Sequence, residues 1–361
     1  MSKHLSRLRN LEGAVSASDG EEALKNCLRT PSPSVNWSLA QPGGGMPYGT
    51  GMVLYGPPKG GKSVFLNGVI GQIHKDRPKE VVVKFDTELR GKFQNNTNNL
   101  RKFGIDEDRY IVYDANSPEM IFDRIEKDIG AACQEGEQIS TVIIDSLSGI
   151  QGRRFINADT INTQQIGDQA ATIKDGLMRI LPTIRKYNIA LICTAHVRAE
   201  MDMKEQMRGK TIKMQAAWAT KHVFEYFCYI EPNKSKTGKV TLGGEEFTDA
   251  SVLDFMEKEQ KTGHKIRFRV EESSFPYAGR TAEFTLDFEK GIINQYEEIF
   301  TLALNYGLIE KPNNVTYKVG DQNFRGILAC LMGIRDNPEL AEKLLKEVQR
   351  RDVAMLKGQP I

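Results

Sequence analysis

Gly56-Pro57-Pro58-Lys59-Gly60-Gly61-Lys62-Ser63 fits the pattern G-x-x-x-x-G-K-[ST], a loop whose backbone cradles phosphate groups. Its flanks decide how it is read. The apolar run Met52-Val53-Leu54-Tyr55 before it reads as a strand, and the amphipathic run Ser63 to His74 after it reads as a helix, the setting that the motif needs. The glycines let the backbone curl so that its N–H groups converge on phosphate at a helix N-terminus, whose partial positive charge adds to the attraction. Lys62 then reaches the β/γ-phosphates and Ser63 the Mg²⁺. An ordinary Gly-Pro turn with one surface lysine would require neither flank. The stretch therefore implies a nucleoside triphosphate bound with Mg²⁺ along Gly56 to Ser63.

Outward from this loop the pattern alternates strand and helix. Val81 to Phe85, Tyr110 to Tyr113, Thr141 to Asp145 and Ile189 to Thr194 are apolar or β-branched runs. Asn99 to Phe103, Pro118 to Glu135 and Asp168 to Tyr187 carry helical periodicity. Strands without a polar face are buried on both sides, so the expected class is α/β, a mostly parallel twisted sheet with helices on both faces. Before the loop, Lys3 to Leu28 reads as a short helix with a break at Gly13 to Gly20, followed by the turn-rich stretches Thr30 to Ser34 and Gly43 to Pro47. After Val197, Arg198 to Met214 shows no clear period and is too long for a simple connection. Further on, Ile266 to Val270 and Ala282 to Phe288 read as a hairpin around Pro276 to Gly279, and the helices Gln295 to Tyr306 and Pro338 to Arg351 frame a small α+β module. The expected division is 1–28, an N-terminal helical segment; 29–290, the core; and 291–361, the C-terminal module.

With 361 residues the chain can bury one large α/β core plus small appendages. A net charge of +2 means that any nucleic-acid site must be a local basic patch. Cys27, Cys133, Cys193, Cys228 and Cys330 stand far apart, with no spacing suited to zinc, and read as thiols of a reducing compartment. No apolar run follows the basic residues of Met1 to Asn10, and none approaches the ~20 residues that span a membrane. A cytoplasmic location, with no membrane partner, is expected.

Asp145 ends the apolar strand Thr141 to Ile144, on a strand expected to neighbour that of the phosphate loop, where a carboxylate can hold Mg²⁺ through water. Ser63 and Asp145 are thus the metal-side candidates. Asp86 and Glu88, just past the strand Val81 to Phe85, are both placed to polarise a water for attack on the γ-phosphate. His196, closing the strand Ile189 to Thr194, is either a sensor of the nucleotide or a structural hydrogen bonder. Two segments have the composition to hold nucleic acid. One is Arg153-Arg154-Phe155; the other carries Arg198, Lys204, Arg208, Lys210 and Lys213 among Met201, Met203, Met207 and Met214. Glu200, Asp202 and Glu205 dilute the second, and a solvated surface loop is its alternative reading.

In their order, Gly43 to Gly49, the phosphate loop, Phe85-Asp86-Thr87-Glu88, Ile144-Asp145-Ser146 and Asp336-Asn337-Pro338-Glu339 resemble the RecA recombinases of bacteria, and Leu28-Arg29-Thr30 with the short N-terminal helix looks closer to the UvsX recombinases of phages. The resemblance runs from about Arg29 to Val348. It implies a RecA-type core that hydrolyses ATP with Mg²⁺, with Lys62 and Glu88 catalytic, Glu88 as the base in preference to Asp86, and His196 coupling nucleotide to DNA. It also implies that the loops Gly152 to Thr160 and Arg198 to Ala216 hold single-stranded DNA. Copies would assemble as helical filaments with ATP between subunits, the helix Lys3 to Leu11 docking on the adjacent core. The implied function is homologous pairing and strand exchange with duplex DNA, served by loading or single-strand-binding proteins, in host cytoplasm if phage-encoded. One departure stands out: two lysines of the family, which reach the neighbouring subunit's γ-phosphate, are replaced by Glu271-Glu272-Ser273, leaving Arg267, Arg269, Arg280 or a bound cation to substitute. Readings from other classes are a ring helicase of the DnaB type and a switch ATPase that acts on a protein partner; the short N-terminal segment disfavours the first.

Overall fold

The computed structural model describes Arg7 and residues 14–152, 168–199, 212–214, 220–233, 240–242, 245–247 and 263–359. Ten strands form the central sheet: β1 (Gly51–Gly56), β2 (Val81–Asp86), β3 (Tyr110–Asp114), β4 (Ile139–Asp145), β5 (Ala190–Ala199), β6 (Ile212–Met214), β7 (Tyr226–Pro232), β8 (Gly263–Ser273), β9 (Thr281–Asp287) and β10 (Gly291–Ile293). Their order is β10-β9-β8-β7-β1-β5-β4-β2-β3, with β6 paired to β5 off that path. From β7 to β3 every pair is parallel, and β8, β9 and β10 extend the sheet in antiparallel fashion.

Period-two geometry divides each apolar strand between two cores. Met52, Leu54, Ile143 and Ile192 face one hydrophobic cluster, which the helix Lys62–Asp76 covers with Phe65, Leu66, Val69, Ile70 and Ile73. Val53, Val142, Ile144, Leu191 and Cys193 face the other, covered by Ile173, Leu177 and Ile180 of the helix Asp168–Lys186 and by Ile121, Phe122 and Ile125. The class is therefore α/β with helices on both faces, as expected. Among the described residues no helix is long and apolar enough to cross a membrane, and all five cysteines are free thiols.

Four expectations need correction. Asp145 is not on a strand adjacent to β1, because β5 lies between β1 and β4. The apolar run of β5 does not end near Thr194: the strand continues to Ala199, and β6 folds back on it with Arg198 opposite Lys213, so both ends of the patternless stretch are tied into a two-stranded ribbon. The expected break at Gly13 to Gly20 holds a helix, Ala17–Ala23, because Ser16 accepts the N–H of Asp19 while the Asp19 carboxylate accepts that of Ser16. Finally, the last helix runs from Pro338 to Leu356, five residues past Arg351, capped by Asn337 with proline in its first turn. The helix expected over Lys3 to Leu11 lies outside the described residues, apart from Arg7.

A third cluster, Ile299, Phe300, Ile309, Tyr317, Val319, Ile334, Leu344 and Val348 among its members, packs the C-terminal helices on the three-stranded sheet Ile309–Glu310, Thr316–Val319 and Gln322–Arg325. Polar ties join it to the rest of the chain. Arg280 donates to both oxygens of Asp352, at 3.0 and 2.8 Å, and to the carbonyl of Trp37, over whose ring it stacks. Glu298, 4% exposed, accepts from the Ser32 hydroxyl at 2.5 Å and the Ser34 N–H at 3.0 Å. Burial pushes the Glu298 pKa up to about 7, although Ser32, Ser34 and Lys265 oppose the rise. A folded-state value above that of the unfolded chain favours the folded state fully only below the unfolded value, and the benefit is lost as pH climbs through 7. Raising the pH from 5 to 8 should therefore weaken the fold by a contribution of order 3 kcal/mol from this one group. Glu298→Gln, which keeps an acceptor for Ser32 and Ser34, should flatten that dependence in denaturant titrations; parallel pH profiles for the two proteins would refute it.

Candidate nucleotide site

Parallel strands deliver their C-terminal ends to one edge of the sheet, and four of the expected groups meet there. Register pairs Gly56 with His196 and Asp86 with Asp145, so the phosphate loop, Glu88, Asp145 and His196 follow one row across β1, β5, β4 and β2. The ends of β2 and β4 are stitched together: Thr87 N–H donates to the Asp145 carbonyl at 2.9 Å, the Thr87 hydroxyl donates to the Ser146 carbonyl at 2.6 Å, and Ser146 N–H donates to the Thr87 hydroxyl at 2.8 Å.

Gly61 sits at φ +89°, in the left-handed region, at the N-cap of the helix Lys62–Asp76, and no side chain caps that helix. Its first N–H groups are thus not used by a side chain, the arrangement that receives phosphate. The Lys62 ammonium folds back onto the carbonyls of Gly56 and Pro57, both at 2.9 Å, and is 7% exposed. Burial lowers its pKa, while Asp145 and Glu88 work in the opposite direction. Beside it opens a cleft of ≈ 300 Å³ lined by Lys59 to Val64, Glu88, Arg90, Asp145, His196 and Phe288.

Asp145 is held on every side. Its Oδ2 accepts from the Ser63 hydroxyl at 3.2 Å and pairs with the Lys84 ammonium at 3.0 Å; its Oδ1 accepts from Thr194 at 2.5 Å. Burial alone would raise the Asp145 pKa, but Lys84, Thr194 and Ser63 bring it below the usual carboxylate value. Lys84, only 5% exposed, is in turn held charged by Asp145 against its own burial. A deprotonated carboxylate beside a serine hydroxyl is a hard oxygen pair of the sort that Mg²⁺ takes, so these residues fit that ion.

Glu88 and His196 are joined directly, Nε2 to Oε1 at 2.8 Å, and the second oxygen of Glu88 pairs with Arg90 at 2.9 Å. His196 N–H donates to the Ser148 hydroxyl at 3.1 Å, and its Nδ1 is buried without a partner among the described residues. Asp86 is 3% exposed, accepts the N–H of Glu88 and does not line the cleft. Of the basic candidates, Arg198 is exposed on the extension of β5 and Lys213 stands opposite it. Arg153, Arg154, Phe155, Lys204, Arg208 and Lys210 lie outside the described residues.

Arg280 is corrected as a substitute for the missing lysines, since Asp352 and Trp37 hold it inside the fold. Arg267 pairs with Glu283, and Arg269 with Glu271. Sequence reasoning missed Lys84, Thr194 and Arg90. A lysine in the middle of a β-branched strand was a usable signal, because a buried ammonium demands a partner.

The match to known proteins agrees with this geometry. Residues 11–216 match the model of the RecA N-terminal domain. Protein RecA of Aquifex pyrophilus is 21% identical over 320 residues, covering 88% of this chain and 82% of that protein. Protein RecA of Thermus aquaticus is 21% identical over 328 residues, 90% and 86% of the two chains, and the mitochondrial DNA repair protein recA homolog 3 of Arabidopsis thaliana is 20% identical over 311 residues, 86% and 65%. A family match over more than half of the chain, on a sheet whose strand ends gather the phosphate loop, Glu88, Asp145 and His196, places this protein in the RecA family.

Proposed function

We propose that the chain is a DNA-dependent ATPase that polymerises on single-stranded DNA and promotes homologous pairing and strand exchange. The observation that carries this reading is the bond between Glu88 and His196. It links a carboxylate at the mouth of the nucleotide cleft to β5, the strand that continues into the ribbon bearing Arg198 and Lys213. In this reading Lys62 and the N–H groups of the phosphate loop hold the triphosphate, and Glu88 accepts a proton from the attacking water. Ser63 and Asp145 would hold Mg²⁺, which neutralises phosphate charge when bound. His196 passes the state of Glu88 to the DNA segments, Arg153 to Phe155 and Arg198 to Lys213. We take 1–28 as the assembly arm, 29–290 as the ATPase core and 291–361 as the C-terminal module. The copies stack head to tail as an open helix. Leu28-Arg29-Thr30 inclines us to a phage protein of the UvsX kind, working in host cytoplasm with loading and single-strand-binding proteins.

The test compares affinity for single-stranded DNA without nucleotide, with ADP and with a slowly hydrolysed ATP analogue. A clear preference for the last, with ATP turnover that rises several-fold on adding DNA and long filaments in negative stain, is expected. Equal affinity in all three states would overturn the reading. Rings in place of filaments would favour a helicase, and turnover indifferent to DNA would favour a protein-directed switch.

A further inference from the structure

The helix that presents the phosphate loop at one end borders a second cleft near the other. This cleft, ≈ 420 Å³, lies between the last turns of Lys62–Asp76, the Phe103-Gly104 turn and β10; Lys75, Lys102, Arg109 and Lys290 line it, and among the described residues no carboxylate does. Among the described residues Lys102 pairs with Glu289 at 3.6 Å, and Arg109 donates its Nε to Asp106 at 2.8 Å and its Nη1 to the carbonyls of Arg77 and Glu80. Lys75 is exposed and makes no ion pair among the described residues. Gly71 keeps the walls close, because a Cβ there would stand 1.8 Å from the Phe103 carbonyl oxygen.

His74 is set into this wall and is 4% exposed. Its Nδ1 accepts the backbone N–H of Asp106 at 3.0 Å, so the neutral ring carries its proton on Nε2. That nitrogen is buried and has no partner among the described residues. Burial and the Arg109 guanidinium both lower the pKa of His74, which keeps the ring in this neutral form. A buried N–H donor without an acceptor is uncommon, and the residue that carries it shares the wall of this cleft with four basic residues. Basic residues in a last helical turn also complement the negative end of the helix, which accounts for Lys75 but not for Lys102, Arg109 or the unused donor of His74.

We infer that this cleft binds a phosphate group, received by the Nε2–H of His74 and by Lys75, Lys102 and Arg109. It lies about 18 Å along the helix from the phosphate loop, at 1.5 Å per residue, and does not rest on the function proposed above. A small free anion and the phosphodiester of a nucleic-acid strand share this chemistry, and the two can be told apart.

Full-length protein labelled with ¹⁵N-histidine is titrated at constant ionic strength, in one arm with inorganic phosphate and in another with a short oligothymidylate. The Nε2 resonance is assigned by its loss in His74→Gln. A saturable shift with phosphate identifies a small-anion site, and a shift with the oligonucleotide alone identifies a phosphodiester site. In either case Lys75→Ala/Lys102→Ala, which alters two exposed side chains, should weaken binding at least about tenfold. No shift in either arm, or a double variant that titrates like the parent, would overturn the assignment.

Discussion

A Glu88→Gln protein is expected to bind ATP as tightly as the parent and to hydrolyse it about 10²–10⁴-fold more slowly. Glu88 lines the cleft beside Lys62 but, among the described residues, makes no hydrogen bond to the phosphate loop, so the change leaves the loop's own contacts intact. Glutamine keeps an acceptor for the Nε2–H of His196 and removes the capacity to take a proton from water. Its ion pair with Arg90 is also lost, but that guanidinium is 63% exposed and such a pair is worth at most about 1 kcal/mol. The measurement is single-turnover hydrolysis alongside an equilibrium binding curve. Should kcat survive, the base is another group. Asp86, the alternative by sequence, is buried and does not line the cleft, so loss of activity only in Asp86→Asn would require the neighbourhood of the γ-phosphate to be redrawn.

Lys84→Met should be the most destabilising single change near the site. It leaves the Asp145 carboxylate, 13% exposed, without the cation that opposes its burial, and stranding one member of such a pair costs about 3–5 kcal/mol. The sign with pH follows. In the parent the Asp145 pKa is depressed, so its contribution is present above the unfolded carboxylate value and lost as pH falls through the folded one. In the variant burial acts unopposed by Lys84, and the loss moves to higher pH. Lys84 and Ser63 meet the same oxygen, Oδ2, so the variant leaves that oxygen with the Ser63 hydroxyl and without a cation, open to a divalent ion. Mg²⁺ at millimolar concentration, without nucleotide, should therefore raise the stability of the variant and leave the parent almost unchanged. Equal denaturation midpoints for the two proteins, with and without Mg²⁺, would show that Lys84 does not support Asp145.

How far the sequence reaches depends on whether a feature is local. The phosphate loop is spelled out in eight consecutive residues, and its strand and helix follow from periodicity on either side. Glu88 and Asp145 are recognisable at strand ends for the same reason, and His196 at the end of an apolar run, although its strand continues to Ala199. The order of strands is not local: nothing in Ile189 to Thr194 announces that it inserts between β1 and β4, since any strand buried on both faces reads alike. Short pairings are equally silent. Val197 to Ala199 and Ile212 to Met214 are strands only because each finds the other. Lys84 is visible as an oddity in an apolar run, yet the identity of its partner comes from 61 residues further along and a different strand. Arg280 shows the converse, a residue whose type suits catalysis but whose contacts with Trp37 and Asp352 commit it to tertiary structure.

The central position of β5 has a mechanical corollary. Among the described residues it is the only strand that touches both β1 and β4, and it runs on past the sheet edge without a break. From His196 to Ala199 it projects about 10 Å, at 3.3 Å per residue. A tilt imposed at its root would be amplified at its tip as in a stylus, with no joint in between to absorb it, so the coupling proposed above should be tuned at the root, around Ser148 and Thr194, and not by residues along the arm.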